Sequence, residues 1–358
     1  MLCPAKANYT KPLMCNSSKA IFTGSYNSLF TEKAIFQAYL KARRGKRKKR
    51  YIQNFEMSLG KNLADLKQAL LTKTYRPEPV REFPIWCTAG QKIRQIRAPG
   101  FRDIIAQFVV YDAIYPIIDK AFIYTSYGCR RGKGAHRAAN KVQEYIRSSP
   151  KNSYYLQLDI RKYYYNIDHV ILRKILERHI LDKSIVDLIM LFVSDNIVGV
   201  NVGSLIAQLL GLMYLNQADH YIKRKLKIRK YVRYVDDMLF IGLDKNTCYY
   251  LLNHLSSWFK DNLHLSLSHW KINKLSKGIN FCGYRTWHDI RLIRKRSLKT
   301  FSRRLKKFKW QSIESLLAHA EHSATYFYFI KKLLKLNIKF PDHIQWRIVK
   351  WQSFHIKK

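Results

Sequence analysis

Apolar positions along the chain follow two periods, and the switches between them mark out its elements. Spacings of three and four predict helices over residues 31–42 (TEKAIFQAYLKA) and 54–71, the second carrying Leu59, Leu63, Leu66 and Leu70 at helical spacing. Tyr75, Pro77 and Pro79 end that helix. A strand-like stretch covers 80–96, a helix 101–118, a loop SYGCRRGKGAH 126–136, and another helix 136–147. Residues 153–160 read as a strand, and 168–179 as a helix that Asn166 or Asp168 would cap. A long helix is expected over 205–226, a hairpin over 231–242, a helix over 249–263 and short strands as far as Tyr284. Beyond Arg296 the pattern is helical and very basic, whereas residues 1–28 lack periodicity and read as an irregular arm. No internal repeat is visible. Strands that pair in hairpins, without alternating βαβ units, point to an α+β fold and away from a doubly wound sheet.

Charge changes this picture most. The 358 residues include 66 Lys and Arg against 24 Asp and Glu, a formal net charge of +42. Such a surface repels itself unless a polyanion neutralises it, and nucleic acid is the natural one because phosphate binding releases condensed counterions. A ribosomal or nucleoid packing protein would be shorter and poorer in aromatics than a chain with 24 Tyr and 18 Phe. Eight of the ten residues from Lys41 to Arg50 are basic, a run expected to touch phosphate. Residues 291–309 read as an amphipathic helix, with Leu298, Phe301, Leu305 and Phe308 at helical spacing and a cationic face that includes Arg303 and Arg304. The cysteines at 3, 15, 87, 129, 248 and 282 lack metal-ligand spacing and read as free thiols of a reducing compartment. No stretch is apolar enough to span a bilayer, and residues 1–20 lack a signal-peptide core, so a cytoplasmic location without membrane contact is expected.

Three acids carry the candidate chemistry. In KYVRYVDDMLFIG, residues 230–242, the adjacent Asp236 and Asp237 sit inside an apolar hairpin, where burial of each charge is costly unless a cation offsets it. A hairpin-tip Asp-Asp turn is the plainer alternative. Asp159 ends an apolar strand between Leu158 and Ile160, an odd place for a packing residue and a natural one for a metal ligand. Asp168 reads instead as a helix cap. Strand-borne acids from distant segments could converge on two Mg²⁺ ions, which favour carboxylate oxygens and leave sites for water and phosphate. Asp237 is the weakest of the three, because adjacent strand residues point to opposite faces.

The order of these segments resembles the fingers and palm of a reverse transcriptase, with LDIRKYYYNIDH similar to the first catalytic motif of that family and YVDD to its second. FRDIIAQ, SYGCRRGKGAH, VGSLIAQLLGLMYLN, LSHWKI, KGINFCGYR and RLIRKRSLK bring the chain closest to reverse transcriptases of bacterial diversity-generating retroelements, over roughly residues 40–330. One departure stands out. The family motif I-G-x-x-x-S-Q is here Val202, Gly203, Ser204, Leu205, Ile206, Ala207, Gln208, with Ala in place of Ser. A related antiphage-defence enzyme working with a noncoding RNA is therefore an alternative, and a catalytically idle RNA-binding scaffold is a further one.

The resemblance implies a right-hand polymerase: an arm over 1–30, fingers over 31–150, a palm over 151–285 and a helical thumb over 286–358. It implies RNA-templated DNA synthesis with two Mg²⁺ (Mn²⁺ as a substitute) held by Asp159, Asp236, Asp237 and the backbone carbonyl of Ile160. Arg94, Arg97, Tyr164, Gly203, Gln208 and Lys271 would meet the incoming dNTP. Of the two arginines, three apart on a strand, at most one would grip the triphosphate. Tyr164, with Tyr163 as the rival, would exclude a ribose 2′-hydroxyl, and Lys271 would protonate pyrophosphate. Arg130, Lys133, Phe281, Gly283, Tyr284, Arg303 and Arg304 would contact template or primer. The partners implied are a structured noncoding RNA template, a DNA or other primer, and a basic accessory protein or second polymerase. No RNase H or endonuclease domain is implied.

Overall fold

The computed structural model describes residues 20–87, 92–193, 198–336 and 338–355. The first nineteen residues, which hold most of the expected arm together with Cys3 and Cys15, lie outside the described residues. Along the chain come α1 (Glu32–Arg43), α2 (Arg50–Met57), α3 (Leu59–Leu71), β1 (Arg81–Cys87), β2 (Lys92–Ala98), α4 (Phe101–Ile118) and α5 (Ala135–Arg147). There follow β3 (Tyr154–Ile160), α6 (His169–His179), α7 (Lys183–Leu191), α8 (Leu205–His220), β4 (Tyr231–Tyr234), β5 (Asp237–Leu243) and α9 (Lys245–Leu263). The remainder is β6 (Leu267–Lys274), β7 (Ile279–Phe281), β8 (Tyr284–Thr286), β9 (Arg291–Ile293), α10 (Lys295–Leu305), α11 (Trp310–Ala320), α12 (Thr325–Leu334) and α13 (Asp342–His355).

These elements form two compact units, each drawn from three stretches of chain. One takes the described residues up to Cys129 with Asp159–Arg229 and Asn253–His269; the other takes Arg130–Leu158, Lys230–Leu252 and the chain from Trp270.

In the first unit, α4 and α8 are apolar on nearly every side and correspondingly buried. The antiparallel pair β1–β2 forms a separate two-stranded ribbon. Asp168 caps α6 by accepting from Val170 N at 2.8 Å and Ile171 N at 3.0 Å, which settles the choice of cap. Two expectations are corrected here, and one helix is new. The helix expected over 54–71 is two helices, broken at Ser58, whose φ of −127° and ψ of 44° leave helical space. Helix α7 was not foreseen; Asp182 caps it through Ser184 N at 2.9 Å. The helix expected to reach Leu226 leaves α-geometry at His220 and widens into a π-helical turn, Tyr221–Lys225. The end of the arm is irregular, as expected, and is tied down by backbone bonds: Phe22 N donates to His179 O at 2.7 Å, and Leu181 N to Phe22 O at 3.1 Å.

The second unit holds the sheet β4-β5-β3-β6, although Asp159 and Ile160 of β3 and Leu267–His269 of β6 group with the first. It also holds the sheet β7-β8-β9 and helices α10 to α13. Its core centres on Phe301 and Phe329, stacked at 3.6 Å, with Ile293, Ile313, Leu317, Ile330 and Leu333 around them. The basic helix is shorter than expected. Arg291 lies in β9, buried, its guanidinium donating to Asn140 Oδ1 at 2.7 Å, Ala139 O at 2.8 Å and Gln143 Oε1 at 2.9 Å. Leu305 ends α10, so Phe308 lies beyond it with positive φ and 54% exposed.

Candidate active site

Strands β4 and β5 form a hairpin in which Tyr234 pairs with Asp237, leaving Val235 and Asp236 as a two-residue turn. Val235 has φ of 58°, a region that a β-branched side chain rarely enters and that stores about 1–3 kcal/mol of strain. Buried Arg233 supports the turn by donating from Nη1 to Val235 O at 2.8 Å. Asp236 occupies the turn itself, so strand alternation does not set it against Asp237. Both acids are half-buried.

Strand β3 pairs with β5 through Gln157↔Leu239 and Leu158↔Met238, and Asp159 is the next residue of β3. Residues paired across an antiparallel ladder share a face, so Gln157 is on the face of Leu239 and, two residues along β5, of Asp237. Gln157 Nε2 donates to both Asp237 oxygens, at 2.9 and 3.1 Å. Ser268 Oγ donates to Asp159 Oδ2 at 2.6 Å. Among the described residues, no group of three or more His, Cys, Asp or Glu is arranged to hold a metal ion. Mg²⁺ does not need such a cage: one or two carboxylates suffice, with water and substrate phosphate completing its shell. The adjacent, half-buried carboxylates of the β4–β5 turn suit that hard, oxygen-seeking ion.

The first unit gathers several of the nucleotide candidates. Arg97 N donates to Val202 O at 3.1 Å, and Tyr165 Oη donates to Gln95 O at 3.1 Å. Gly203, with φ of 116°, lies so close to Ile96 that an added Cβ would stand 2.9 Å from that side chain. Arg94 and Arg97 face opposite ways on β2; Arg97 Nε donates to Glu82 Oε1 at 2.8 Å, while Arg94 is exposed. The rivals for the sugar position separate cleanly. Tyr163 is buried, its hydroxyl donating to Gly211 O, whereas Tyr164 is half-buried with its ring against Gly211. Gln208 is exposed on α8 and Ala207 buried. The backbone of Ile160 ends β3.

In the second unit, Arg130 and Lys133 lie in the turn that leads to α5, with positive φ at Gly132 and Gly134. Lys271 is half-buried on β6. Phe281 and Tyr284 pair across a second tight hairpin, so their side chains enter the core and only the Cys282–Gly283 turn could meet a ligand through its backbone. Tyr284 Oη donates to His319 O at 2.7 Å, which leaves His136 Nδ1 to donate to Tyr284 Oη at 2.7 Å. Burial, then the nearby Asp237 carboxylate, push the Cys282 thiol upward. On α10, Arg303 is exposed and Arg304 half-buried.

Sequence reasoning missed Gln157, Ser268, Arg233 and Gly211. Gln157 had a signal, being a polar residue two before Asp159 and so on the same strand face. Arg233 had one too, as a charge inside an apolar strand, and Gly211 as a lone glycine in a helix. Ser268 lies within the quoted LSHWKI motif, but nothing there singled out its hydroxyl.

Residues 89–286 match the family model described as "Reverse transcriptase (RNA-dependent DNA polymerase)". The group II intron-encoded protein LtrA of Lactococcus lactis subsp. cremoris is 24% identical over 78% of this chain. Protein YkfC of Escherichia coli K12 is 27% identical over 47% of this chain and 47% of its own length. This chain spans 58% of the length of LtrA. A structure of telomerase from Candida albicans, in complex with a fragment of telomeric RNA, aligns with a TM-score of 0.49 at 14% identity, covering 78% of this chain and 58% of that one. No helix among the described residues is long and apolar enough to cross a membrane.

Proposed function

Because this chain belongs to the reverse transcriptase family, we propose that it is an RNA-directed DNA polymerase whose acids are Asp159, Asp236 and Asp237. The observation that carries this reading is the tight turn presenting Asp236 and Asp237 on a hairpin paired with the strand that runs into Asp159. The three carboxylates, with the carbonyl of Ile160, would hold two Mg²⁺ ions (or Mn²⁺), which when bound activate the primer 3′-hydroxyl and stabilise charge at the α-phosphate.

The chain's own residues do the rest. Arg94, exposed and outside the Arg97–Glu82 ion pair, is the better placed to clamp the triphosphate; a planar guanidinium suits phosphate oxygens. The ring of Tyr164 closes the space a ribose 2′-hydroxyl would need. Gly203 and Gln208 lie under the nascent base pair, and Lys271 delivers a proton to pyrophosphate. Arg130 and Lys133 hold template, the Gly283 turn steadies the primer through its backbone, and Arg303 and Arg304 run along the duplex. Fingers over 31–150, a palm over 151–285 and a thumb over 286–358 fit these duties.

The motif matches favour a retroelement of the diversity-generating type, copying a structured noncoding RNA with a basic accessory protein. Ala207, in place of the family Ser, favours a second reading as an antiphage-defence enzyme. Primer extension on RNA templates, with Asp236→Ala plus Asp237→Ala as the control, tests the activity. Metal-dependent dNTP incorporation that the double variant lacks is expected. Failure of the parent protein on every template would leave the RNA-binding scaffold in its place. Sequencing the RNA that copurifies, together with the neighbouring genes, separates the two biological roles: an RNA matching the variable repeat of a neighbouring gene marks diversification, and a noncoding RNA with no such counterpart marks defence.

A further inference from the structure

The contact between Gln157 and Asp237 joins two residues eighty positions apart. It links strands already locked in register by Gln157↔Leu239 and Leu158↔Met238, so both ends of the hydrogen bond stand on rigid backbone. Asp237 is the diagonal neighbour of Gln157 on one sheet face, a separation that a long side chain bridges and Asn would not. One amide nitrogen donates to both carboxylate oxygens, at 2.9 and 3.1 Å, which holds the carboxylate group in place. A carboxylate has about four lone-pair sites, more than the two that this amide nitrogen engages. The donor is also neutral. A Lys or Arg at that position would hold the same acid but compete with a divalent cation for its charge.

We propose that Gln157 is a positioning residue, orienting the Asp237 carboxylate for divalent-cation binding at the β4–β5 turn. This rests on the polymerase reading of the three acids. Groups that orient a metal ligand typically change metal affinity or activity about 10- to 100-fold when removed.

The test uses Gln157→Met, which keeps length and volume and deletes the donor. Binding of Mn²⁺ to the full chain, without nucleotide, is followed by the electron paramagnetic resonance of free Mn²⁺. Primer extension is followed against free Mg²⁺. The expected result is an unchanged thermal midpoint, Mn²⁺ binding weaker by about 10- to 100-fold, and a matching rise in half-saturating Mg²⁺, with turnover largely recovered at saturation. A merely structural role would not be rescued by metal. Should Q157M melt early, Gln157→Leu, apolar and suited to a strand, carries the same expectation. Parental Mn²⁺ affinity and Mg²⁺ dependence in a folded variant would overturn the proposal. Asp236→Asn is run beside it. If that variant extends primers like the parent protein, the reading of the acids fails, whatever Gln157 does.

Discussion

Helix α8 carries a glycine where its surface meets the Tyr163–Tyr165 turn, and Gly211→Ala turns that contact into a test of sugar selection. A Cβ at Gly211 would stand 2.8 Å from Tyr164 Cε1 and 3.3 Å from Tyr163 Cε1. Tyr163 is held by its hydroxyl on Gly211 O, so Tyr164 has to give way, by about 0.6 Å to reach ordinary contact at 3.4 Å. Two effects on stability oppose each other. Alanine gains about 1 kcal/mol of helix propensity over glycine, and overpacking costs about 1–3 kcal/mol. The net loss is about 0–2 kcal/mol, small enough for the variant to fold. Function should respond more sharply, because misplacing a positioning group by about 1 Å can cost up to 100-fold. The assay compares kcat/KM for dNTP and rNTP on one RNA template. G211A should lower the preference for dNTP about tenfold or more while DNA synthesis persists, and Tyr164→Ala should lower it further. Unchanged discrimination in G211A alongside lost discrimination in Tyr164→Ala would refute the coupling through α8. Unchanged discrimination in both would remove Tyr164 from the sugar-selecting role.

Replacing Arg303 and Arg304 together by Ala should weaken duplex binding equally for all sequences and reduce the slope of log K against log salt by about 0.9 per lost phosphate contact, read by anisotropy from low to moderate salt. Acidification should destabilise the second unit. His136 is held below its usual 6.5 by burial and then by His322, His319 and Arg291 against Glu321; His319 is lowered by burial and by His322 and Arg294 against the Gly283 backbone. Unfolded imidazoles take up protons near pH 6.5 that the folded ones refuse, so this stability is complete above that pH and is lost as pH falls below it. Melts from pH 7.5 to 5 should show the decline, and His136→Gln should flatten it. Tyr75→Phe removes the hydroxyl donor to buried Asp103, leaving Glu78 N at 3.0 Å, and should cost about 1–3 kcal/mol in denaturant titration.

Short-range physics makes much of this molecule legible in its sequence. Helix α4 matches its expected bounds because its apolar positions and flanking glycine act within a few residues. Asp168 reads as a cap because capping needs only the next two or three backbone amides. The hairpin around Asp236 and the strand that runs into Asp159 follow from alternation and a tight turn. None of this fixed which side chains touch across the chain. Arg291 looked like one more cation of a basic helix, yet β9 carries it into the core, where acceptors on α5 from Ala139, Asn140 and Gln143 hold it. Ser58 breaks the helix expected over 54–71 just ahead of its periodic leucines, which all fall in α3. The resemblance put Tyr164 ahead of Tyr163, but their different surroundings follow only from Gly211, nearly fifty residues on, which takes one hydroxyl and one ring face. Periodicity reports the face on which a residue lies, whereas its partner is chosen by register between strands and packing between helices, interactions that only the folded chain brings within reach.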